Sequence, residues 1–254
     1  CLLPASSPLL REERLLVAGA HRVRRNCQSE RGRAGPNFLC YSATRPILYR
    51  LQLIGLVLGK VNILTINHYL TEASELLVET AKSGLDEPVV ATIEILVKVI
   101  SEGKPVLVCG NGGSAADAMH IAGELMGRYL LDRSAYNVIS LGSDPAITTA
   151  WSNDFGYESL FARQVEGLGA SGGALWCLST SGNSENVCRA MTAAKEMGIY
   201  TVALLGKDGG RVVSMADLSI VVPAQTADRI QEMHIKILHI VIETVERALF
   251  PKNY

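Results

Sequence analysis

Two short segments of this chain combine glycine with hydroxyl residues in a pattern that suits anion binding. Residues 110–114, GNGGS, follow the apolar run at 106–108 and precede an alanine-rich segment with helical periodicity. Residues 179–184, STSGNS, follow a second apolar run and precede a segment that becomes helical near Glu185. A turn between strand and helix aims backbone N–H groups and the positive end of a helix dipole at an anion, and hydroxyls add donors. The two segments, loop 1 (110–114) and loop 2 (179–184), predict a phosphate site.

Each loop also has an ordinary explanation. Glycine turns between strands and helices are common, and Ser, Thr or Asn before a helix often serve only as its N-cap. One hydroxyl suffices for a cap, whereas loop 2 carries four, at Ser179, Thr180, Ser181 and Ser184. The surplus of hydroxyls and the presence of two such loops favour phosphate binding.

His120 and Glu124 lie four residues apart in the helix predicted after loop 1, so they share one face of it. The small residues Ala116 and Gly127 on that face would let a ligand or another chain come close. Beside a phosphate loop, this spacing favours a pair of metal ligands or an acid–base pair over an ordinary core or surface histidine. The combination indicates an enzyme that acts on a phosphorylated small molecule.

The last predicted helix, at about 226–249, carries polar side chains among apolar residues that nearly encircle it. Such a helix should be buried, and its polar groups then need partners. Gln231 and His239 are two turns apart and could meet at one ligand only from a broad face. His234 is closer to Gln231 in sequence, and spacing alone does not choose between the two histidines.

Apolar runs and helical patterns alternate along the chain. Strands are expected at 106–109, 137–141, 173–179, 200–205 and 218–222, and helices at 62–82, 88–101, 115–129, 146–153, 157–167, 183–197, 210–215 and 226–249. Continuously apolar strands separated by helices predict a parallel sheet covered on both faces, with ligands outside the carboxyl ends of its strands. Asn153 and Asp154 are expected in a loop, where the acid is either a cap or a contact to a substrate hydroxyl. Residues 207–210, KDGG, are interpreted as a turn without chemistry.

Composition limits the classes of partner. The 254 residues suffice for one α/β domain, and the net charge of −1 gives no global reason to expect nucleic acid. The longest apolar run is too short to span a membrane, so no membrane association is expected. The six cysteines are scattered without metal-type spacing, which favours reduced thiols and a cytoplasmic location.

The first 60 residues differ in composition from the rest of the chain. They hold ten Lys and Arg against three acidic residues and show no sustained apolar period. We interpret residues 1–60 as a disordered or artefactual basic extension, with a targeting peptide as the alternative. Residues 61–254 are expected to form a single domain that begins with two amphipathic helices.

Five segments together resemble the phosphoheptose isomerases of the sugar-isomerase (SIS) domain superfamily. They are CGNGGSAADAMHIAGELMGRY, SNDFGYESLF, LSTSGNSENV, LLGKDGGRV and ADRIQEMHIKILH. The resemblance covers about residues 62–250. It implies a flavodoxin-like three-layer sandwich with a five-stranded parallel sheet, assembled as a homotetramer with active sites between subunits. It also implies conversion of sedoheptulose 7-phosphate to D-glycero-D-manno-heptose 7-phosphate, a step towards nucleotide-activated heptose.

The resemblance assigns roles to individual residues. It implies one zinc ion per subunit, bound by His120, Glu124, Gln231 and His239, and so favours His239 over His234. Glu124 would be the base that moves a carbon-bound proton, with His239 acting on the oxygens. Whether Glu124 acts mainly as base or as ligand stays open. The expected substrate contacts, Ser114 of loop 1 included, are Asn111, Gly112, Gly113, Ser114, Glu124, Asn153, Asp154, Ser179, Thr180, Ser181, Ser184 and Gln231.

Two other functions are compatible with parts of the sequence. The bacterial replication-initiator-associating proteins are non-catalytic SIS-domain regulators that share the segments IQEMH and LFP found here at 230–234 and 249–251. By resemblance they lack the acid at the Glu124 position and the histidine at the His239 position, and this chain has both. An isomerase for a different phosphosugar would use the same machinery.

Overall fold

A computed structural model describes residues 66–253, which include most of the predicted domain. The predicted basic extension at 1–60 lies outside the described residues. Two helices precede the sheet, α1 (Ile66–Lys82) and α2 (Asp86–Ser101). Within residues 66–253, no helix combines the length and apolar character needed to cross a bilayer.

The sheet contains five parallel strands in the described residues, and this confirms the predicted fold class. In chain order they are β1 (Val106–Cys109), β2 (Val138–Ser140), β3 (Ala174–Ser179), β4 (Tyr200–Leu205) and β5 (Leu218–Val221). Their spatial order is β2-β1-β3-β4-β5, and every pairing is parallel. This is the flavodoxin-like order.

The remaining helices connect the strands. They are α3 (Gly113–Met126), α4 (Pro145–Phe155), α5 (Leu160–Leu168), α6 (Glu185–Glu196) and α7 (Ala227–Leu249). The helix expected at 157–167 begins with a short 3-10 turn at Tyr157–Ser159 before α5. The helix expected at 210–215 is only a 3-10 turn at Val212–Ser214, because Gly209 and Gly210 adopt positive φ angles and cannot belong to a right-handed helix.

Alternate residues of the central strands face two separate apolar cores. Val106, Val108 and Trp176 pack with α2, α3 and α7, whereas Leu107 and Leu175 pack with α5 and α6. Strands buried on both faces must be apolar at successive positions, which explains the continuous apolar runs in the sequence. Because α3 and α7 share one face of the sheet, their side chains can meet.

The chain reverses its direction of winding between β1 and β3. After β1 it crosses to β2 on one side, and after β3 it continues to β4 on the other. In open parallel sheets, ligands bind at such a switch point, outside the carboxyl ends of the two strands. Loop 1 follows β1 and loop 2 follows β3, so the topology brings both predicted phosphate loops to this position.

Candidate active site

Loop 1 presents unused backbone donors at the start of α3. Within the described part of the chain, the N–H groups of Gly112 and Gly113 have no acceptor. Both residues are exposed, whereas Ser114 in the first helical turn is buried. Unpaired N–H groups at the N-terminus of a 14-residue helix are suited to bind phosphate oxygens.

Loop 2 is built partly by its own hydroxyls. Ser179 Oγ accepts a hydrogen bond from Gly182 N–H at 3.1 Å, and Ser181 Oγ accepts a weaker one from Asn183 N–H at 3.3 Å. Ser184 occupies the N-cap position of α6, but its side chain makes no capping hydrogen bond. Among residues 66–253, the hydroxyls of Thr180 and Ser184 have no partner, so the capping explanation does not account for them.

The KDGG segment, to which the sequence analysis gave no chemistry, packs directly against loop 2. Gly182 has φ +60°, and a side chain there would overlap Gly209 O; Gly210 has φ +53°, and a side chain there would overlap Ser181 O. Val212 N–H donates to Gly182 O at 3.0 Å. This contact joins loops that follow different strands. The only sequence signal for such a close approach is the number of glycines in both loops.

His120 and His239 lie in contact between α3 and α7. Their Nε2 atoms are 3.1 Å apart, and Glu124 Oε1 is 3.4 Å from His120 Nε2. Each of the three side chains is partly exposed, so a ligand can reach them. Tyr129 stacks on the His239 ring, with centroids 6.0 Å apart and planes inclined by 20°. Three groups able to hold or transfer a proton therefore share one small region.

The two histidines of α7 have different environments. His234 is fully buried and its Nε2 donates to Leu205 O at 3.1 Å. Burial lowers the pKa of His234 to about 4, so it is neutral at physiological pH. The structure thus places His239 beside His120 and makes His234 a core residue.

Gln231 reaches the beginning of α3. A Cβ atom on Gly113 would lie 2.5 Å from Gln231 Nε2 and 2.6 Å from its Oε1, so the amide rests on the glycine backbone. Only glycine permits this approach. Gln231 therefore stands beside loop 1, two turns of α7 before His239.

Electrostatics keep His239 neutral over a wider pH range than a free histidine. Its pKa is lowered, first by burial and then by repulsion from His120, while Glu124 opposes the shift. A neutral imidazole can accept a proton or bind a metal ion. One turn before His120, the buried Asp117 carries a carboxylate oxygen without a partner, and burial raises the pKa of this acid. The sequence analysis did not select Asp117, although its spacing of three from His120 puts both on one side of α3.

The C-terminal end of α3 is fixed by a buried ion pair. Arg133 Nε lies 3.0 Å from Glu246 Oε1, and both side chains are 1% exposed. Arg133 also donates to the carbonyl oxygens of Glu124 and Leu125 at 3.0 Å. The pair therefore joins the helical turn that carries Glu124 to the last turns of α7.

The prediction that Asn153 and Asp154 lie in a loop is wrong. Both belong to the last turn of α4, which begins after the N-cap Asp144 and continues to Phe155. Their side chains are exposed and Asn153 Nδ2 donates to Asp154 Oδ1 at 2.9 Å. The apolar periodicity weakens here because no residue of α4 is fully buried, so the helix end gave little sequence signal.

The four side chains implied as zinc ligands, those of His120, Glu124, Gln231 and His239, have suitable ligand atoms, but their arrangement suits the ion only in part. Two nitrogen ligands of one tetrahedral zinc are about 3.3 Å apart, close to the 3.1 Å between His120 and His239. As arranged, however, no three His, Cys, Asp or Glu side chains within residues 66–253 could hold a metal ion by themselves. Glu124 would have to turn towards the histidine pair, and the amide of Gln231 would supply a fourth donor.

Comparison with known proteins agrees with the fold. Residues 68–206 match the SIS domain family. The phosphoheptose isomerase of Vibrio cholerae serotype O1 is 49% identical over 185 residues, which are 71% of this chain and 95% of the relative.

Two solved structures are similar over nearly their full length. The phosphoheptose isomerase of Neisseria gonorrhoeae is 36% identical with a TM-score of 0.67, covering 71% of this chain and 96% of that one. The enzyme from Francisella tularensis is 32% identical with a TM-score of 0.69, covering 72% and 96%. The match over residues 68–206, more than half of the chain, shows that it is an SIS-domain protein. Within that class, this chain belongs to the phosphoheptose isomerase family.

Proposed function

We propose that this chain is an aldose–ketose isomerase that converts sedoheptulose 7-phosphate to D-glycero-D-manno-heptose 7-phosphate, in the biosynthesis of nucleotide-activated heptose. The observation that carries the proposal is the meeting of His120, Glu124 and His239 between α3 and α7. Helix α3 begins at loop 1, where two backbone N–H groups have no acceptor among the described residues. The names of the relatives support the same activity. The regulator hypothesis is not favoured, because this chain keeps the acid and the histidine that those proteins lack by resemblance.

The reaction requires a base for a carbon-bound proton and groups that exchange protons with two oxygens. Glu124 would take the proton from C1 of the ketose and return it to C2, which leaves an enediolate in between. His239, whose lowered pKa favours the neutral imidazole, would accept the proton of the C1 hydroxyl and deliver it to the oxygen on C2, so that the carbonyl moves from C2 to C1. Donors from loops 1 and 2 would hold the phosphate and so fix the distance from phosphate to reacting carbons.

We also propose that His120, Glu124, Gln231 and His239 bind one zinc ion per subunit. The ion would supply Lewis-acid polarisation of the substrate carbonyl. The separation of the histidine nitrogens supports this proposal. A Glu124 carboxylate that binds the ion is less available as a base. Metal content and rate must therefore be measured on the same samples.

A homotetramer is the proposed assembly. Two exposed apolar side chains flank the histidine pair: Met119, which is 51% exposed, and Ile240, which is 54% exposed. Apolar side chains beside a polar site suit an interface that closes over it. Light scattering of wild type and Ile240→Glu checks the assembly, and a monomeric wild type would contradict it.

We further propose a cytoplasmic location, which the free thiols of Cys109, Cys177 and Cys188 support.

The activity is tested by incubating the protein with sedoheptulose 7-phosphate and following formation of the aldose. Glu124→Gln keeps the size of the side chain but cannot take a proton at neutral pH, so we expect its rate to fall by about 10²–10⁴-fold. Glu79→Gln is the matched control, because Glu79 is an exposed acid on α1. If the protein leaves sedoheptulose 7-phosphate unchanged but isomerises another ketose phosphate, that sugar replaces sedoheptulose 7-phosphate as the proposed substrate. No turnover of any phosphoketose would refute the enzyme itself.

A further inference from the structure

Asn111 of loop 1 is held by two side chains that the sequence analysis left without a role. The amides of Asn111 and Asn186 face each other, and each Nδ2 donates to the other's Oδ1 at 2.9 Å. The hydroxyl of Tyr157 donates to the same Oδ1 of Asn111, also at 2.9 Å. The oxygen of Asn111 therefore accepts two hydrogen bonds, and one of its two amide protons is already used.

The three residues come from three different segments at the carboxyl edge of the sheet. Asn111 belongs to loop 1, and Asn186 is the second residue of α6, directly after loop 2. Tyr157 follows the end of α4, which carries the predicted substrate contacts Asn153 and Asp154. One junction of side chains thus ties together every segment outside α3 and α7 that is expected to contact the substrate.

The polarity of the junction is fixed by the backbone. Asn186 Oδ1 also accepts from Val187 N–H at 3.0 Å, and a backbone N–H can only donate. The oxygen of Asn186 must therefore face Val187, so its Nδ2 must face the oxygen of Asn111. Asn186 is only 4% exposed, and a flipped amide would bury two donors against each other. This leaves one defined amide proton on Asn111 without an acceptor among residues 66–253.

We propose that Asn186 and Tyr157 are positioning residues of the active site, which fix the Asn111 amide so that its remaining N–H donates to a substrate oxygen. The inference rests on the proposed function, because it needs a ligand at loop 1. It assigns no direct substrate contact to Tyr157 or Asn186. Both act through Asn111.

A double-mutant cycle tests this assignment. Tyr157 is 47% exposed, so Tyr157→Phe removes one hydroxyl without opening the core. We expect kcat/KM for sedoheptulose 7-phosphate to fall by about 3- to 10-fold, the value of one hydrogen bond. In an Asn111→Ala background, the same change should have no further effect. Tyr200→Phe is the matched control, because its hydroxyl bonds Lys98 Nζ at 2.9 Å near the start of β4, at the opposite edge of the sheet.

Asn186→Ala should lower kcat/KM further than Tyr157→Phe, and its unfolding midpoint shows whether the fold is kept. If Asn186→Ala unfolds, the cycle with Tyr157 decides alone. An unchanged kcat/KM in Tyr157→Phe, or additive effects of Tyr157→Phe and Asn111→Ala, would overturn the inference, since additivity indicates a direct contact.

The failure of the proposed function looks different. If the wild type binds inorganic phosphate without turnover of any phosphoketose, the isomerase proposal fails. The cycle is then read on the dissociation constant of phosphate, with the same expected and contradicting outcomes. A wild type that binds neither sugar phosphate nor phosphate overturns both proposals, because there is then no ligand for Asn111 to contact.

Discussion

His120 and His239 bring their Nε2 atoms to 3.1 Å across 119 residues of sequence. At this separation, either one ring donates a proton to the other or both bind one cation, and two protonated rings would repel each other. The lowered pKa of His239 has this repulsion as one of its causes. A positive charge at His120 therefore favours the neutral form of His239.

Metal binding is the first expected outcome. Protein purified without chelator should contain about one zinc ion per chain, and His239→Ala should lose most of it. His68→Ala is the matched control, since His68 pairs with Glu72 at 3.4 Å and at the same spacing of four as His120 and Glu124. Elemental analysis makes the comparison. If the protein contains no divalent metal, and chelation changes neither rate nor stability, His120, Glu124 and His239 act only in proton transfer.

The hydroxyls of loop 2 should contribute directly to phosphate affinity. In Ser181→Ala with Ser184→Ala, binding of inorganic phosphate should weaken by about 1–3 kcal/mol for each charge-assisted hydrogen bond lost. Stability should change little, because Ser184 makes no capping hydrogen bond and Ser181 loses only an exposed hydrogen bond of 3.3 Å from Asn183 N–H. Calorimetry measures the affinity. An unchanged dissociation constant would remove these hydroxyls from the site.

The contact between the KDGG segment and loop 2 gives a third expectation. Gly210→Ala should weaken phosphate binding, because the new side chain would displace Ser181 O. Gly103→Ala is the matched control: Gly103 has a similar φ of +65° but nothing within 4 Å of its would-be Cβ. Both variants carry the strain of a positive φ, and Gly210→Ala should lose more stability because its side chain also overlaps loop 2, so phosphate affinity is compared on samples that remain folded. Equal phosphate affinity in the two would contradict the supporting role of the segment.

Stability should decrease as the solution becomes acidic, and His234 supplies one cause. Its pKa is about 4 in the folded chain, below the usual 6.5, so the unfolded chain binds more protons between these values. The loss begins near pH 6.5, grows as the pH falls and is complete below pH 4, at about 3 kcal/mol. Urea unfolding at pH 7.5 and 5, at one protein concentration, measures it. His234→Gln should lose less stability over this interval than the wild type does.

The sequence predicted the sheet well because strands buried on both faces must be apolar throughout, as in β3 and β4. It predicted the positions of loops 1 and 2 between strand and helix, because glycine and hydroxyl residues are concentrated there, and phosphate binding by these loops stays a prediction. It failed at the end of α4, where exposed polar residues follow no period, and at the segment after β4, where glycines end the helical pattern.

The site itself could be predicted only in part. Nothing in the spacing of α7 distinguishes His239 from His234, because the difference lies in what each meets: His120 in one case, Leu205 O in the other. Two further contacts also join segments that are distant in sequence. One is the junction of Asn111, Asn186 and Tyr157, and the other is the contact of Gln231 with Gly113. Local patterns carry no information about such pairs.

The separation of loops and helices within one site has a functional consequence. The proposed donors for phosphate lie on loops at the ends of β1 and β3, whereas His120, Glu124 and His239 lie on α3 and α7. Replacing two helix side chains would abolish catalysis and leave the anion cradle intact. Substitutions on α3 and α7 would therefore separate turnover from ligand binding in this scaffold.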